Sequence, residues 1–420
     1  NSQHFHQNEI LLSYVNQYKA HPVTLKQLAG FGKKLSESKI ISSANFVRSE
    51  IPIRLGLKLQ EFQLLPFEVI NNYHISQIYD SYYKSFNLFR KYPKIETLQE
   101  NDKFVEFLKE LLDDHLLILP HLVMGALEIS ISKSLKQEKL DEFMSTVLRS
   151  RISRRVIVEE HISLTHSFLK NPNATKSNDY IGDVFHQCSA METLQKSANA
   201  TRNYLQTLYP DLQMPELIIK SKNENGADFK FPFMLSHLHY IFGEIFRNSF
   251  KSTIEFHLKK NSNNNDGKII PPPPIVVTMM QNKDKIVFRF SDKGGGTDST
   301  RLSKIWSFGK DPILASESLL NYHDLIQKSK LLEINHENGL AQVLTPTPLE
   351  NNNYTKSTLS DLIKRPFRSR LGISLPICKV YVDYWNGDLK MYSLRGSGTD
   401  TYLSLRKLDS DQSVLQLDRA

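Results

Sequence analysis

The sequence predicts a protein of two parts, an amino-terminal helical bundle at residues 1–205 and an α/β sandwich with a mixed sheet at residues 206–420. A chain of 420 residues is longer than one hydrophobic core usually organises, which favours two domains. Apolar residues recur at helical spacing in the first part, whereas short β-rich runs follow Tyr209 and Pro210. These three observations place a helical part before an α/β part.

The first part carries amphipathic segments in which apolar residues lie three and four positions apart, with polar faces between them. The clearest are LKQLAGFGKKL, FEVINNYHISQIYDSYYKSFNLF and KFVEFLKELLDDHLLILPHLVMGALEISISKSL. Five prolines are expected to separate the helices: Pro22, Pro52, Pro66, Pro93 and Pro120. Long helices joined by short connections predict a bundle.

The second part contains five β-rich runs, LIIKSK, IVVTMM, KIVFRF, LKMYSL and TYLSLR. Helical patterns at 234–256 and 371–385 interrupt them, which predicts a mixed sheet packed against helices. The composition of KNSNNNDGKIIPPPP, residues 260–274, predicts a loop with an extended tetraproline. The polar segment at about 309–370 directly follows a glycine-rich loop, which favours a lid over a disordered connection.

Composition argues against several functional classes. No apolar run approaches the roughly 20 residues that span a bilayer, so we expect no membrane insertion. Cys188 and Cys378 stand far apart, which predicts a reducing compartment and no disulfide scaffold or zinc site. The net charge is +8, but no Lys/Arg-rich run accompanies it, which argues against a nucleic-acid partner. Because the chain begins at Asn1, we expect that a targeting peptide has been removed.

The stretch VFRFSDKGGGTDST, residues 287–300, ends a predicted strand with an acid and three glycines. Consecutive glycines destabilise helices and strands, and they suit a loop that needs unusual dihedral angles or close backbone approach. Asp292 next to glycine backbone amides suits a nucleotide site, in which the carboxylate would bind the base and the amides would bind the phosphates. A plain loop between strands is the alternative.

The helical pattern at 236–256 carries Glu244, Asn248 and Lys251 at positions i, i+4 and i+7, so the three share one stripe. Taken alone, this stripe favours a solvated helix face. The order along the chain favours a nucleotide site: this helix, then the strand with Asp292, then GISLP and GSGTD. We expect Glu244 and Asp292 to face one shared cavity.

Three segments, GEIFRN, SDKGGGT and LGISLPICKVYVDYWNGDLKMYSLRGSGTDTYLSLR, resemble the N, G1 and G2 boxes of the GHKL (Bergerat-type) ATPase and kinase fold. The chain is more closely similar to the mitochondrial kinases of the pyruvate and branched-chain 2-oxoacid dehydrogenase complexes. FVRSEIPIRLGLKLQEFQLLPFEV, ELLDDHLLILPHLVMGALE and RSRISRRVIVEEHISL resemble the helical domain of that family. The resemblance therefore runs from about Pro22 to Leu405.

The resemblance implies that the chain binds ATP and Mg²⁺. Asp292 corresponds to the acid that binds the adenine amino group, and Asn248 corresponds to the Mg²⁺ ligand. An amide oxygen suits a hard ion that takes its other oxygens from phosphates and water. The remaining residues implied to contact the nucleotide are Arg247, Lys251, Gly294, Gly296, Gly372, Ser374, Leu375 and Thr399.

Glu244 corresponds to the family's catalytic base. A free glutamate has a pKa near 4.3, so Glu244 is expected to orient a serine hydroxyl and to accept its proton as the P–O bond forms. His115 corresponds to a histidine of the family's helical domain, and a direct catalytic role and a satisfied interface histidine stay open for it. Tyr240 stands where pyruvate-type kinases have a histidine. His239, rotated by about 100° around the helix, is expected at the surface.

The segment before Leu375-Pro376 departs from the family, which has three alternating glycines there. Of the residues Arg370 to Ser374, only Gly372 is a glycine. Glycines at these positions would relieve steric and dihedral limits where a lid closes over the triphosphate, and this chain lacks two of them. A non-catalytic regulator that binds nucleotide therefore stays open beside the kinase.

The partners that the resemblance implies are those of a mitochondrial matrix complex. The substrate is a serine of the E1 alpha subunit, and the helical part docks on the lipoyl domain of the E2 core. The matching positions for docking are Leu25, Leu28, Phe31 and Phe46, for which ordinary core packing is the alternative. The family also implies a homodimer or a heterodimer with a related kinase. Asn- and Lys-rich loops of fungal character favour the pyruvate complex over the branched-chain complex.

A two-component histidine kinase is a third hypothesis. It requires a phosphoacceptor histidine followed by an acid, whereas DDHLL has its acids before His115.

Overall fold

The computed structural model describes residues 9–21, 23–115, 118–172, 182–223, 226–262, 271–329 and 372–408. The side chains of Lys26, of residues 29–31, of Leu208 and of residues 322–329 are not among those described. The helical part runs through α1 to α8 in chain order. These are α1 (Glu9–Gln17), α2 (Leu25–Gly32), α3 (Glu37–Gln63), α4 (Phe67–Ile70), α5 (Tyr73–Lys91), α6 (Leu98–Asp114), α7 (Ile118–Ser132) and α8 (Gln137–Lys170).

Local capping explains where several of these helices begin. The Ser36 side chain accepts a hydrogen bond from the Lys39 amide, and Thr97 forms a reciprocal capping box with Glu100 at the start of α6. Asn72 caps α5 by accepting from the amides of His74 and Ile75. This cap separates α4 from α5, which the apolar pattern alone had merged.

The prolines do not all separate helices as predicted. Pro52 lies inside the 27-residue helix α3, so the expectation that it ends a helix is wrong. An interior proline removes one backbone hydrogen bond, and burial on both sides of it lets tertiary packing outweigh that loss. Pro120 lies in the first turn of α7, where a missing N–H costs little. Pro22 lies outside the described residues.

The core of the helical part is apolar and aromatic. Phe62 of α3 contacts Tyr79 and Tyr82 of α5 and Phe143 of α8 through edge-on ring pairs. One stretch, Leu98–Ser132, is long and apolar enough by length and composition to cross a bilayer, although 69% of its most apolar window is buried. The prediction that no such stretch exists therefore missed this one, whose burial is equally typical of a core helix.

The α/β part contains two sheets. In chain order its strands are β1 (His186–Ser189), β2 (Leu217–Ser221), β3 (Lys230–Phe233), β4 (Ile275–Gln281), β5 (Lys285–Asp292), β6 (Asp388–Leu394) and β7 (Gly398–Arg406). The larger sheet has the order β2-β4-β5-β7-β6, with β2 and β4 parallel and the other neighbours antiparallel. All five predicted strands are therefore confirmed, in a mixed sheet, whereas the short β1–β3 pair was not predicted.

Five helices accompany the strands within the described residues: α9 (Ala190–Leu208), α10 (Leu235–Ser262), α11 (Ser299–Ser303), α12 (Pro312–Ser329) and α13 (Ser374–Tyr384). Helix α10 packs on the larger sheet, with Phe242 and Phe246 against Phe288 and Phe290 of β5. Helix α9 packs on α10, and β1 pairs with β3, so residues 186–208 contact the α/β part. The boundary at 205 stays a prediction.

The two parts contact each other through helices. Helix α13 packs on α8, and α12 packs on α7. Residues 312–329, predicted as part of a polar lid, thus form a helix seated on the bundle. The rest of the predicted lid, residues 330–370, and residues 263–270 of the predicted loop lie outside the described residues.

Candidate active site

A cavity of about 1050 Å³ opens between the two parts. We call one side the sheet-side wall; it consists of α10 residues from 245 to 259, residues 292–297, and Met391, Thr399 and Thr401. We call the opposite side the bundle-side wall; it consists of Gln137 of α8 and residues between 300 and 317. Gly372, Ser374 and Leu375, at the start of α13, complete the lining.

Asp292 lies at the end of β5 and lines the cavity. Its Oδ1 accepts hydrogen bonds from the amides of Gly294, at 2.9 Å, and Thr399, at 3.2 Å, and the side chain of Ser249 also bonds to it. Burial raises the pKa of Asp292 to about 6, and these hydrogen bonds oppose the rise. The result is a buried, rigidly held acceptor at the base of the sheet-side wall.

The glycine loop after β5 is pressed between α10 and the β6–β7 turn. A Cβ on Gly294 would overlap the Ser252 side chain, and one on Gly296 would overlap the Leu394 carbonyl. Gly296 also has a φ of 63°, which side chains rarely adopt. Gly396 N donates to Gly295 O at 2.7 Å, and Gly295 N donates to Ser397 O at 3.2 Å. Close packing against protein therefore requires these glycines, in addition to any approach of a nucleotide.

Asn248 faces the cavity from α10. Its Nδ2 donates to the Glu244 carbonyl oxygen at 3.0 Å. A carbonyl can only accept a hydrogen bond, so the amide N–H is turned to the helix and Oδ1 is turned away from it. Arg247 and Lys251 line the same wall, and Lys251 Nζ lies 4.0 Å from Glu255 Oε1.

Glu244 lies one helical turn before Asn248 but is enclosed. Its side chain is fully buried and does not line the cavity that Asp292 faces. It lies close enough to Cys378 of α13 to help raise the pKa of that thiol, whose main cause is burial. The expectation that Glu244 and Asp292 face one shared cavity is therefore wrong: Asp292 and Asn248 line it together, whereas packing encloses the Glu244 carboxylate behind the wall.

Of the residues His237, His239 and Tyr240 on α10, His239 differs from expectation. His239 is half-buried and its Nδ1 lies 3.0 Å from Ser197 Oγ of α9, so the surface position predicted for it is wrong. Tyr240 is fully buried and packs on Tyr381 with 5.4 Å between ring centroids. His237 accepts a hydrogen bond from Trp385 Nε1 at 3.0 Å. No metal-binding group of three ligands occurs among the described residues.

His115 lies at the end of α6, away from the residues that line the cavity. Its Nε2 is 2.8 Å from Ser85 Oγ, and its ring centroid is 5.8 Å from that of Tyr82. Desolvation, followed by the charges of Arg154 and Arg151, lowers the pKa of His115 to about 3. The imidazole is therefore neutral at physiological pH, and its contacts with Ser85 and Tyr82 of α5 lie within the helical part.

Within the segment that resembles the G2 box, the described residues begin at Gly372. Gly372 lines the cavity with a φ of 71°, and Ser374 is the first residue of α13. Leu375 and Thr399, which the sequence predicted to contact the nucleotide, also line the cavity. Arg370 and Leu371 lie outside the described residues.

The bundle-side wall was not predicted. Asp141 Oδ1 accepts from the amides of Phe308, at 2.6 Å, and Gly309, at 3.1 Å, and Ser307 Oγ donates to Asp141 Oδ2 at 2.7 Å. Gln137 Nε2 donates to Ser307 Oγ at 2.8 Å. These bonds join residues more than 160 positions apart in the chain, a relation for which a single sequence carries no local signal.

The predicted docking residues of the helical part are mostly interior. Leu25 and Leu28 are 3% and 4% exposed, so the alternative of core packing holds for both. Phe46 is half-buried against the same core. Phe31 lies outside the residues whose side chains are described.

The chain is similar to known kinases over its whole length. Residues 22–185 match the family model described as mitochondrial branched-chain alpha-ketoacid dehydrogenase kinase. Pyruvate dehydrogenase (acetyl-transferring) kinase 2, mitochondrial, of Saccharomyces cerevisiae is 38% identical over 100% of this chain and 88% of its own length. The Arabidopsis thaliana protein named pyruvate dehydrogenase (acetyl-transferring) kinase, mitochondrial, is 25% identical, with 94% and 92% covered. Pyruvate dehydrogenase (acetyl-transferring) kinase isozyme 4, mitochondrial, of Homo sapiens is 23% identical over 95% of this chain and 84% of its own length.

Proposed function

This chain belongs to the pyruvate dehydrogenase kinase family, and we propose that it is an ATP-dependent protein serine kinase that phosphorylates and inactivates the E1 alpha subunit of the pyruvate dehydrogenase complex. The observation that carries the proposal is the convergence of Asp292, the glycine loop and Asn248 on one cavity. The protein is mitochondrial and associates with that complex, and we infer that it resides in the matrix.

We assign the α/β part to the GHKL nucleotide-binding fold, with the adenine amino group on Asp292 and the phosphates toward α10 and α13. Thr399 then lies beside the adenine, because its amide and that of Gly294 hold the Asp292 carboxylate in place. Arg247 and Lys251 supply positive charge on the phosphate side of α10.

Asn248 fits a Mg²⁺ site on the evidence of its own hydrogen bond. Its N–H is held by the Glu244 carbonyl, which leaves Oδ1 as the oxygen donor on the cavity side. A single protein oxygen suits Mg²⁺, which keeps several waters and takes further oxygens from phosphates. When bound, the ion would neutralise charge that develops on the phosphate oxygens.

Phosphate transfer would form a bond between the serine Oγ and the γ-phosphorus and break the bond to the β-phosphate oxygen, so that ADP leaves. We propose that Glu244 accepts the hydroxyl proton during this step. Because its carboxylate is enclosed in the structure, the neighbouring side chains must move before a serine reaches it. Positioning supplies most of the acceleration in such a loose transition state.

The test is incorporation of labelled phosphate into purified E1 alpha subunit. We expect Glu244→Gln to lower transfer by about 100-fold or more while ATP affinity stays within about twofold, because the variant keeps the side-chain volume but loses the proton acceptor. Normal transfer by this variant would end the assignment of Glu244. Acid-stable phosphoserine distinguishes this activity from a histidine kinase.

Two alternatives have specific support. The match of residues 22–185 to the branched-chain kinase model favours a branched-chain 2-oxoacid dehydrogenase kinase as the second candidate. Assaying both dehydrogenase complexes as substrates decides between them. The departures from the G2 box favour a regulator that docks on the complex without turnover; ATP binding without phosphate incorporation would support it.

Docking on the E2 lipoyl domain and assembly as a homodimer, or as a heterodimer with a related kinase, are further parts of the proposal. The division into a docking part at 1–205 and a nucleotide-binding part at 206–420 accompanies them, with a lid at about 309–370. Because Leu25 and Leu28 are buried, docking would use other residues of the helical part.

A further inference from the structure

We propose that Lys310, on the bundle-side wall, is a phosphate ligand of the nucleotide site, an inference that rests on the proposed function. None of the boxes that identify the site contains this lysine. Four observations carry it: the fixed main chain, the reach of the side chain, the nearby start of α13, and the distribution of charge around the cavity.

The main chain of Lys310 is held by the helical part. Its amide donates to Ser130 Oγ of α7 at 3.3 Å, and the preceding amides, of Phe308 and Gly309, donate to Asp141 of α8. A Cβ on Gly309 would lie 2.6 Å from Gln137 Cγ, so this turn fits tightly against α8. The bundle therefore positions Lys310 at a definite point on the cavity wall.

The side chain of Lys310 reaches into the cavity. Its Nζ donates to Ser307 O at 2.7 Å, which uses one of the three ammonium N–H donors within the described part of the chain. A Cβ on Gly372 would lie 3.6 Å from Lys310 Cε. The ammonium group is therefore close to the residues that lead into α13.

The start of α13 suits the same anion. Helix α13 has 11 residues and begins at Ser374, and its N-cap residue, Ile373, has no polar side chain to cap it; Pro376 has no N–H, so the first turn offers the amides of Ser374 and Leu375. The amide groups of its first turn can bind negative charge. Lys310 and this helix start together form a cation and a set of N–H donors, the combination that binds phosphate oxygens.

The bundle-side wall carries three cationic side chains, Arg301, Lys304 and Lys310, and two carboxylates, Asp311 and Glu317. Asp292 lies in the sheet-side wall, and Lys310 lies in the bundle-side wall. Desolvation lowers the pKa of Lys310 to about 8, with Asp141 opposing the shift. An anion beside the ammonium would offset the cost of its burial. A base on Asp292 and phosphates at Lys310 match a nucleoside polyphosphate.

The test compares the affinity of the full-length protein for ATP, ADP and AMP by calorimetric titration in the wild type, Lys310→Met and Lys310→Arg. Methionine keeps the length of the side chain and removes the charge. We expect Lys310→Met to weaken ATP binding by about 10- to 100-fold, the usual loss for one hydrogen bond between charged groups. AMP binding should change by less than about twofold, and arginine should restore most of the ATP affinity.

Lys283→Met, on the exposed turn between β4 and β5, is the matched control and should leave all three affinities unchanged. Equal ATP affinity in Lys310→Met and wild type would overturn the assignment of Lys310. Equal weakening of ATP and AMP would also overturn it, because it would indicate a general structural effect. If the wild type binds ATP but transfers no phosphate, the proposed function fails while the ligand role stands.

Discussion

The two walls of the cavity are built in different ways. The sheet-side wall is held by bonds within one sheet and its adjoining helix, such as those from the Gly294 and Thr399 amides to Asp292. The bundle-side wall is held by Asp141 and Gln137 of α8, which bind residues 307–309 across the interface between the two parts. The sheet-side wall belongs to the α/β part alone, whereas the bundle-side wall depends on how the helical part sits against the α/β part.

This difference suggests a division of labour. Substitutions in the sheet-side wall and at Lys310 should act on the nucleotide directly, whereas substitutions of Asp141 and Gln137 should change its binding through the helical part. The four predictions that follow sharpen this comparison or break it.

The largest effect is expected for Gly296→Ala. The new Cβ would overlap the Leu394 carbonyl, and the φ of 63° disfavours alanine. We expect a loss of about 3 kcal/mol or more in the free energy of unfolding, measured by urea denaturation.

The matched substitution in the other wall is Gly309→Ala. Its Cβ would meet the Gln137 side chain, which can shift because it is flexible, so a loss of about 1 kcal/mol is expected. Equal losses in the two variants would contradict the view that the sheet-side wall is the more rigid one.

An intermediate effect is expected for Asp141→Ala. The amides of Phe308 and Gly309 would lose their acceptor, which costs about 2–3 kcal/mol for buried groups. Because the same turn carries Lys310, ATP affinity should fall by about 5- to 10-fold, measured by titration. Asp102→Ala, on the exposed face of α6, is the control. Loss of stability without loss of ATP affinity would uncouple the bundle from the nucleotide site.

A gain in stability, opposite in sign to the losses above, is expected for Asp292→Asn without nucleotide. Burial raises the folded-state pKa of Asp292 to about 6, so folding disfavours the charged form relative to the unfolded chain. Its contribution to stability is present below pH 3.8 and is lost as pH rises through about 6. Asparagine stays neutral and can still accept from the Gly294 and Thr399 amides.

We therefore expect Asp292→Asn to exceed the wild type by about 1–2 kcal/mol in unfolding free energy at pH 8, with the gain shrinking toward pH 4. Denaturation at a series of pH values measures it. A gain that does not depend on pH would mean that charge at Asp292 is not its cause.

The strands and the sheet-side wall could be predicted from the sequence because their signals are local. Alternating runs such as KIVFRF mark strands, and an acid followed by glycines marks the loop after β5. β1 and β3 were missed because each has only four residues, and β1 is mostly polar. Helix α12 was missed because its residues stand at the start of a long polar segment.

Burial and tertiary contacts could not be predicted from the sequence, because they depend on residues far apart in the chain. The enclosure of Glu244 depends on α13, more than 120 residues further along the chain, and the burial of His239 depends on α9. The helical stripe placed Glu244 and Asn248 on one face correctly, but it could not indicate that packing would cover only the first of them.

The central claim is that a nucleotide binds in this cavity with its base on Asp292. Calorimetric titration of ATP with Mg²⁺ into the wild type and Asp292→Ala tests it most directly. We predict measurable binding by the wild type and a loss of about 100-fold or more in the variant, since a buried charged acceptor is removed. Equal binding by a variant that remains folded would contradict the claim.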